Sequence, residues 1–158
     1  MSSVRILLAS ALTLALAAPL YGTGEAAKAD MDILRESIRA DKKALVAASL
    51  TLTDEEATRF WPLYDRYQKE LTAVHDRLVK VIKDYAASFP DVSNETAMKL
   101  TDDYLAAESD RAQLRRTYLA ELAKVLPGRK VMLFYQLENK IDAVVRYDLA
   151  AGIPVVRK

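Results

Sequence analysis

No cysteine occurs in this chain of 158 residues, and there is a single histidine, His75. The first absence removes cysteine nucleophiles, disulfide frameworks and thiolate metal sites together. The second leaves nitrogen ligands too few for a zinc centre, because a structural site needs four protein ligands and a catalytic one three. Glycine is scarce at 4 residues and proline at 5, and neither a phosphate-cradling glycine loop nor a Gly-x-Ser-x-Gly elbow is present. Without those groups, and with no Glu-x-x-His pair for a di-iron bundle, the chain is expected to be no enzyme and to carry no cofactor. A formal net charge of only +1 argues against a nucleic-acid binder or a polybasic membrane binder.

A membrane-spanning run is lacking too. The longest apolar stretch, from Ile6 to Ala18, is interrupted by Ser10 and Thr13 and falls short of the roughly 20 residues a bilayer demands. Its setting explains it better. Arg5 precedes it, and Ala27-Lys28-Ala29 follows with the small-x-small form of a cleavage site. Residues 1–29 therefore read as a signal peptide for export, the alternative being an N-terminal anchor. With no cysteine after the run, a lipid anchor is excluded. Removing Arg5, Lys28 and Glu25 with the leader brings the 23 basic and 22 acidic residues to 21 of each. An exported chain that uses no disulfide must draw its stability from a packed core or from association.

What is abundant is Ala, Leu, Lys, Arg, Glu and Asp, a helix-forming composition. The pattern predicts an all-α fold. A first helix runs from about Met31 to Ala48. Thr53-Asp54-Glu55-Glu56 is a capping box that opens a second helix reaching about Ala86. Its spine of Phe60, Tyr64, Tyr67, Leu71, Val74, Leu78, Val81 and Tyr85 steps by four and three, as a coiled-coil seam does. Pro62 lies inside this helix and is expected to kink or loosen it. Ser88-Phe89-Pro90-Asp91 forms a turn, and Ser93 or Asn94 caps a third helix running to about Val125. Pro127, at an N1 position, opens a fourth helix, which stops at Gly152. The domain is thus 30–152, with an apolar tail over 153–158 that docks.

The second and third helices, joined by a short turn, form a long antiparallel hairpin. The two shorter helices start at its opposite end and are expected to flank only that half. The tip would then be left bare, although it carries Leu78, Val81, Ile82, Tyr85, Phe89, Met98, Leu100 and Tyr104. Such a surface calls for cover: a homodimer through the tips, a partner or client, or short helices that bend over it. Tyr85 and Tyr104 suit a surface alternately wet and covered, because the tyrosine ring is apolar and its end polar. Tyr64, Tyr67 and Tyr118 read as edging the core. Arg111, Arg115 and Arg116 read as a solvated face paired with Glu108 and Asp110. Alternatively Arg111 and Arg115, with Arg35, Arg39, Lys42 and Lys43, serve a face that captures clients by charge.

The element Leu52-Thr53-Asp54-Glu55-Glu56 after a first helix, continued by Phe60-Trp61-Pro62-Leu63-Tyr64, resembles the Leu-Thr-x-x-Gln element of the Spy/CpxP-like periplasmic proteins. Glu56 stands where that family has Gln. The place of the second element holds Leu126-Pro127-Gly128-Arg129-Lys130, which keeps only the Leu. The resemblance covers the chain after the leader in order and length. It implies a helical, cradle-shaped homodimer in the periplasm that binds unfolded envelope proteins under stress without ATP. In some relatives it implies an adaptor of a membrane stress sensor, or a metal-binding resistance protein. A metal role for His75 is weakly supported here, since the methionines and the lone histidine are scattered.

Overall fold

The computed structural model describes residues 40–156. The leader assigned to 1–29, the start of the first helix at Met31, and Arg35 and Arg39 lie outside them. The chain divides into two compact units, Met1–Ala44 and Leu45–Lys158. Of the first, the described residues 40–44 are helical; the architecture below is that of the second. Among the described residues there are helices and no strands: α1 over 40–50, α2 Asp54–Ser88, α3 Asn94–Leu122 and α4 Gly128–Gly152. None of them is long and apolar enough to cross a membrane.

Each start has a local cause. At α2 the Thr53 hydroxyl accepts from the Glu56 amide at 3.2 Å, and Glu56 Oε2 accepts from the Thr53 amide at 2.9 Å. Two amides that the first turn leaves unpaired are satisfied at once. At α3 the cap is Ser93, whose hydroxyl accepts from the Thr96 amide at 3.1 Å. Pro127 is the N-cap of α4 rather than its first residue. It offers no side-chain bond, and its carbonyl takes the Lys130 and Val131 amides instead. α3 ends at Leu122, and Val125, expected to be helical, lies in the following turn.

The core gathers where α1, α2 and α4 begin and α3 ends. Val46 and Leu50 from α1 pack with Phe60, Leu63, Tyr64, Tyr67 and Leu71 from α2. Tyr118 and Leu122 from α3, Leu126, and Val131 and Phe134 from α4 complete the cluster. Ring pairs tie it together. Phe134 meets Phe60 at 5.8 Å, Tyr64 at 6.2 Å and Tyr67 at 5.7 Å, all edge to face. Tyr67 meets Tyr118 at 5.1 Å. Edge-to-face pairs add to burial because the positive ring edge meets a negative face.

Side-chain pairs show how the helices run. From α2 to α3, Glu70 joins Tyr118 and Arg77 joins Asp110, so numbers rise on one helix as they fall on the other. From α2 to α4, Phe60 meets Phe134, Gln68 bonds Glu138 and Tyr85 bonds Pro154, so numbers rise together.

The last of these pairs corrects the expectation of a bare tip. α4 holds 25 residues, or about 37 Å at 1.5 Å per residue. Four extended residues add about 13 Å. That total matches α2, whose 35 residues span about 52 Å. The fourth helix and the tail therefore reach the far end of the molecule.

Phe134 is 1% exposed and Met132 is 64% exposed. Phe134→Ala is expected to cost about 3–5 kcal/mol in denaturant unfolding, from lost transfer energy and the cavity left behind. Met132→Ala, two residues away, should stay within about 0.5 kcal/mol. Equal effects would show that α4 is not seated through Phe134.

Candidate functional site

Beyond the aromatic core, α2, α3 and α4 enclose an open groove of about 490 Å³, a volume in the range that binds small or peptidic ligands. Leu78, Val81, Ile82 and Tyr85 supply the α2 wall. They sit at alternating steps of the seam that further up buries Phe60, Tyr67 and Leu71. Leu100, Thr101 and Tyr104 come from α3, with Val92 and Ala97 at its start. Arg146, Leu149 and Ala150 come from α4, and Ile153 and Val156 from the tail. Arg146 is the one charged residue of this lining.

The sequence-predicted residues divide accordingly. Leu78, Val81, Ile82, Tyr85, Leu100 and Tyr104 meet in the groove. Leu100 is buried, Tyr104 is 43% exposed, and the α2 residues are half-buried. Phe89 lies at the turn, 5.9 Å from the Tyr85 ring. Met98 faces outward and is exposed. Neither lines the groove. Val144, Val145 and Leu149, expected as the apolar face of the last helix, are exposed.

Arg111 and Arg115 serve the frame. Arg111 is half-buried and donates to Asp142 at 2.5 Å and to Glu108 at 3.1 Å. Arg146 reaches the same two carboxylates from α4. Two cations and two anions thus balance along the groove's shoulder and fix α4 against α3. Burial acts to raise the Asp142 pKa, but the hydrogen bond from Arg111 and the charges of Arg111 and Arg146 outweigh it and hold the carboxyl below its ordinary range. Arg115 lies over the Tyr135 ring at 5.5 Å, and its carbonyl accepts the Tyr135 hydroxyl at 2.6 Å. Arg116 is exposed.

The elements carrying the family resemblance form the opposite end. Leu126 is buried and Leu52 packs on the same core. Glu56 closes the capping box and also accepts from Lys130 Nζ at 2.5 Å. Lys130 donates in addition to the Thr51 carbonyl at 3.0 Å. Thr51 is the one described non-glycine residue with positive φ, at 43°, a conformation a β-branched residue rarely takes. Glu56 and Lys130 are the fifth residues of their elements, Leu52–Glu56 and Leu126–Lys130. An ion pair therefore joins the two elements at matching places. The Lys130 hydrogen bond and the Thr53 amide hold the Glu56 pKa below its usual value.

Sequence reasoning missed Glu138, which is 4% exposed. Its Oε1 accepts from Gln68 Nε2 at 3.1 Å, and the Tyr67 hydroxyl also bonds it. Burial, then the nearby Glu138, pushes the phenols of Tyr64 and Tyr67 upward. Burial likewise takes Tyr135 to about 12 despite Arg115. These phenols remain donors around a buried acceptor, which satisfies the core and builds no acid–base pair. The signal was available: Val131, Phe134 and Glu138 follow the i, i+3, i+7 spacing of one helix face.

His75 is exposed on α2, and its charge reaches Asp142. Among the described residues no three histidine or carboxylate side chains gather as a metal site.

Glu56 and Asp142 have folded pKa values below their ordinary 4.5 and 3.8. A depressed carboxylate stabilises the fold above its unfolded pKa, and that contribution disappears as pH falls through the folded value. Thermal stability is therefore expected to hold from neutrality to about pH 4.5 and to fall below it. Asp142→Asn should cost about 1–3 kcal/mol at pH 7, by leaving Arg111 under-bonded, and clearly less at pH 3. An unchanged difference between the two pH values, measured by circular dichroism melts, would count against this network.

Comparison with protein-family models, with curated proteins and with solved structures gave no match.

Proposed function

We propose that this chain is an exported, periplasmic, ATP-independent chaperone-like protein of the Spy/CpxP type, which holds unfolded or misfolded envelope proteins under stress. The observation that carries the reading is the open groove, about 490 Å³, lined by aliphatic and tyrosine side chains with Arg146 at its edge. A groove of that kind gains energy from any apolar segment laid in it, because the hydrophobic term is non-directional. It therefore favours many sequences weakly over one sequence tightly, and needs neither nucleotide nor cofactor. The long hairpin of α2 and α3 supplies its walls, with the shorter α1 and α4 flanking. Further apolar groups stand exposed around it: Met98 at 70%, Leu105 at 58% and Val144 at 53%. Patches of this sort mark association surfaces, and we assign them to a homodimer that extends the grooves into a cradle.

Two measurements test this. A chemically denatured model client is diluted into buffer without ATP, with and without the purified protein, and light scattering is followed. Suppression near equimolar ratio is expected. No suppression at several-fold excess would overturn the chaperone reading and favour the stress-sensor adaptor, for which a single envelope partner should then appear on cross-linking. Tyr104→Asp, at a half-exposed position, and Ile82→Asp are expected either to abolish protection or to split the dimer, read by sedimentation. Full protection together with unaltered mass in both variants would remove the groove from the function.

A further inference from the structure

One wall of the groove is not a helix. After Gly152 the chain leaves α4 as Ile153-Pro154-Val155-Val156. Ile153 has φ −96° and ψ 115°, the extended region that a following proline favours. Val155 and Val156 are β-branched and prefer the same extended form. Ile153 and Val156 line the groove, and the carbonyl of Pro154 accepts the Tyr85 hydroxyl at 2.8 Å. Aliphatic side chains facing a groove, with a backbone carbonyl met by a fixed donor, is how an extended peptide is recognised. The tail is lightly seated, with Val155 85% and Val156 55% exposed. The groove keeps its open volume with the tail in place.

We propose that the groove takes extended aliphatic peptide segments and that residues 153–156 are their built-in competitor. This rests on the client-binding reading above and names the segment bound: aliphatic or β-branched residues in extended form, with a main-chain carbonyl turned to Tyr85. The hydroxyl reads the backbone, so the sequence requirement stays loose. A client segment that displaces the tail replaces like with like. Binding and release are then close in free energy, which suits a holder that works without nucleotide.

The probe is a fluorescein-labelled peptide with the sequence of residues 152–158, followed by fluorescence anisotropy. The chain ending at Gly152 is expected to bind it about tenfold more tightly than the full chain, the loss of a competitor that masks about nine-tenths of the sites. Val156→Asp in the full chain should move affinity in the same direction, and it carries the test if the shortened chain fails to show a helical spectrum. Tyr85→Phe, in whichever of these backgrounds folds, should weaken binding about fivefold, the worth of one neutral hydrogen bond. Equal affinity for the full chain and the tail variants, or binding to none, would overturn the proposal. If the full chain still suppresses client aggregation in that case, only the tail's role is lost. If peptide binding follows the expected order while suppression is absent, the groove is a peptide site and the chaperone reading fails.

Discussion

The seating of Phe134 against Phe60, Tyr64 and Tyr67 is the contact on which the rest of the molecule depends. A long hairpin on its own offers a stripe of apolar side chains and no enclosed space. Once Phe134 fixes where α4 begins its run along the hairpin, every later residue of that helix has a defined neighbour. Glu138 falls opposite Gln68, Asp142 opposite Arg111 and Arg146 opposite Glu108. The groove wall at Leu149 and the contact of Pro154 with Tyr85 lie further along the same line. The aromatic cluster supplies most of the burial, while the polar pairs select one alignment among several that burial alone would allow.

Local features were legible in the sequence, and long-range ones were legible only in part. The all-α class, the capping box at Thr53 and the stop at Gly152 follow from chemistry within a few residues. The α2 seam was readable as a face because its period is strict. What lay across from each face was not. Leu78, Val81, Ile82 and Tyr85 could be recognised as a surface in need of cover, but the cover comes from residues about 70 positions away. Its reach depends on adding an extended tail to a helix, and counting helical residues alone falls short of it. The burial of Glu138 was hidden for a related reason, since a carboxylate on an apolar face reads as a break in the face until its donors, Gln68 and Tyr67, are in place. The arginines illustrate the converse. Arg111 and Arg115 looked like part of an exposed charged run, and are half-buried because α4 passes over them with Asp142 and Tyr135.

The two ends of the unit therefore differ in physical character. At one end apolar packing is dense and its polar groups are satisfied; among the described residues no buried side-chain nitrogen or oxygen lacks a partner. At the other, aliphatic groups border an open volume, and exposed apolar residues remain on α3, α4 and the tail. Between them stands the neutral quartet of Glu108, Arg111, Asp142 and Arg146. Rigidity at one end and unfilled apolar surface at the other is the division expected where a scaffold holds an adaptable surface in place.

That division has an optical counterpart. The chain contains one tryptophan, and Trp61 packs beside Phe60 and Tyr64 in the dense end. Its emission reports melting of that end and is blind to events at the groove by distance. Tyr85 and Tyr104 stand at the groove itself. The molecule thus carries separate intrinsic chromophores for its frame and for its open face, and a spectrum recorded at two excitation wavelengths distinguishes loosening of one from occupation of the other.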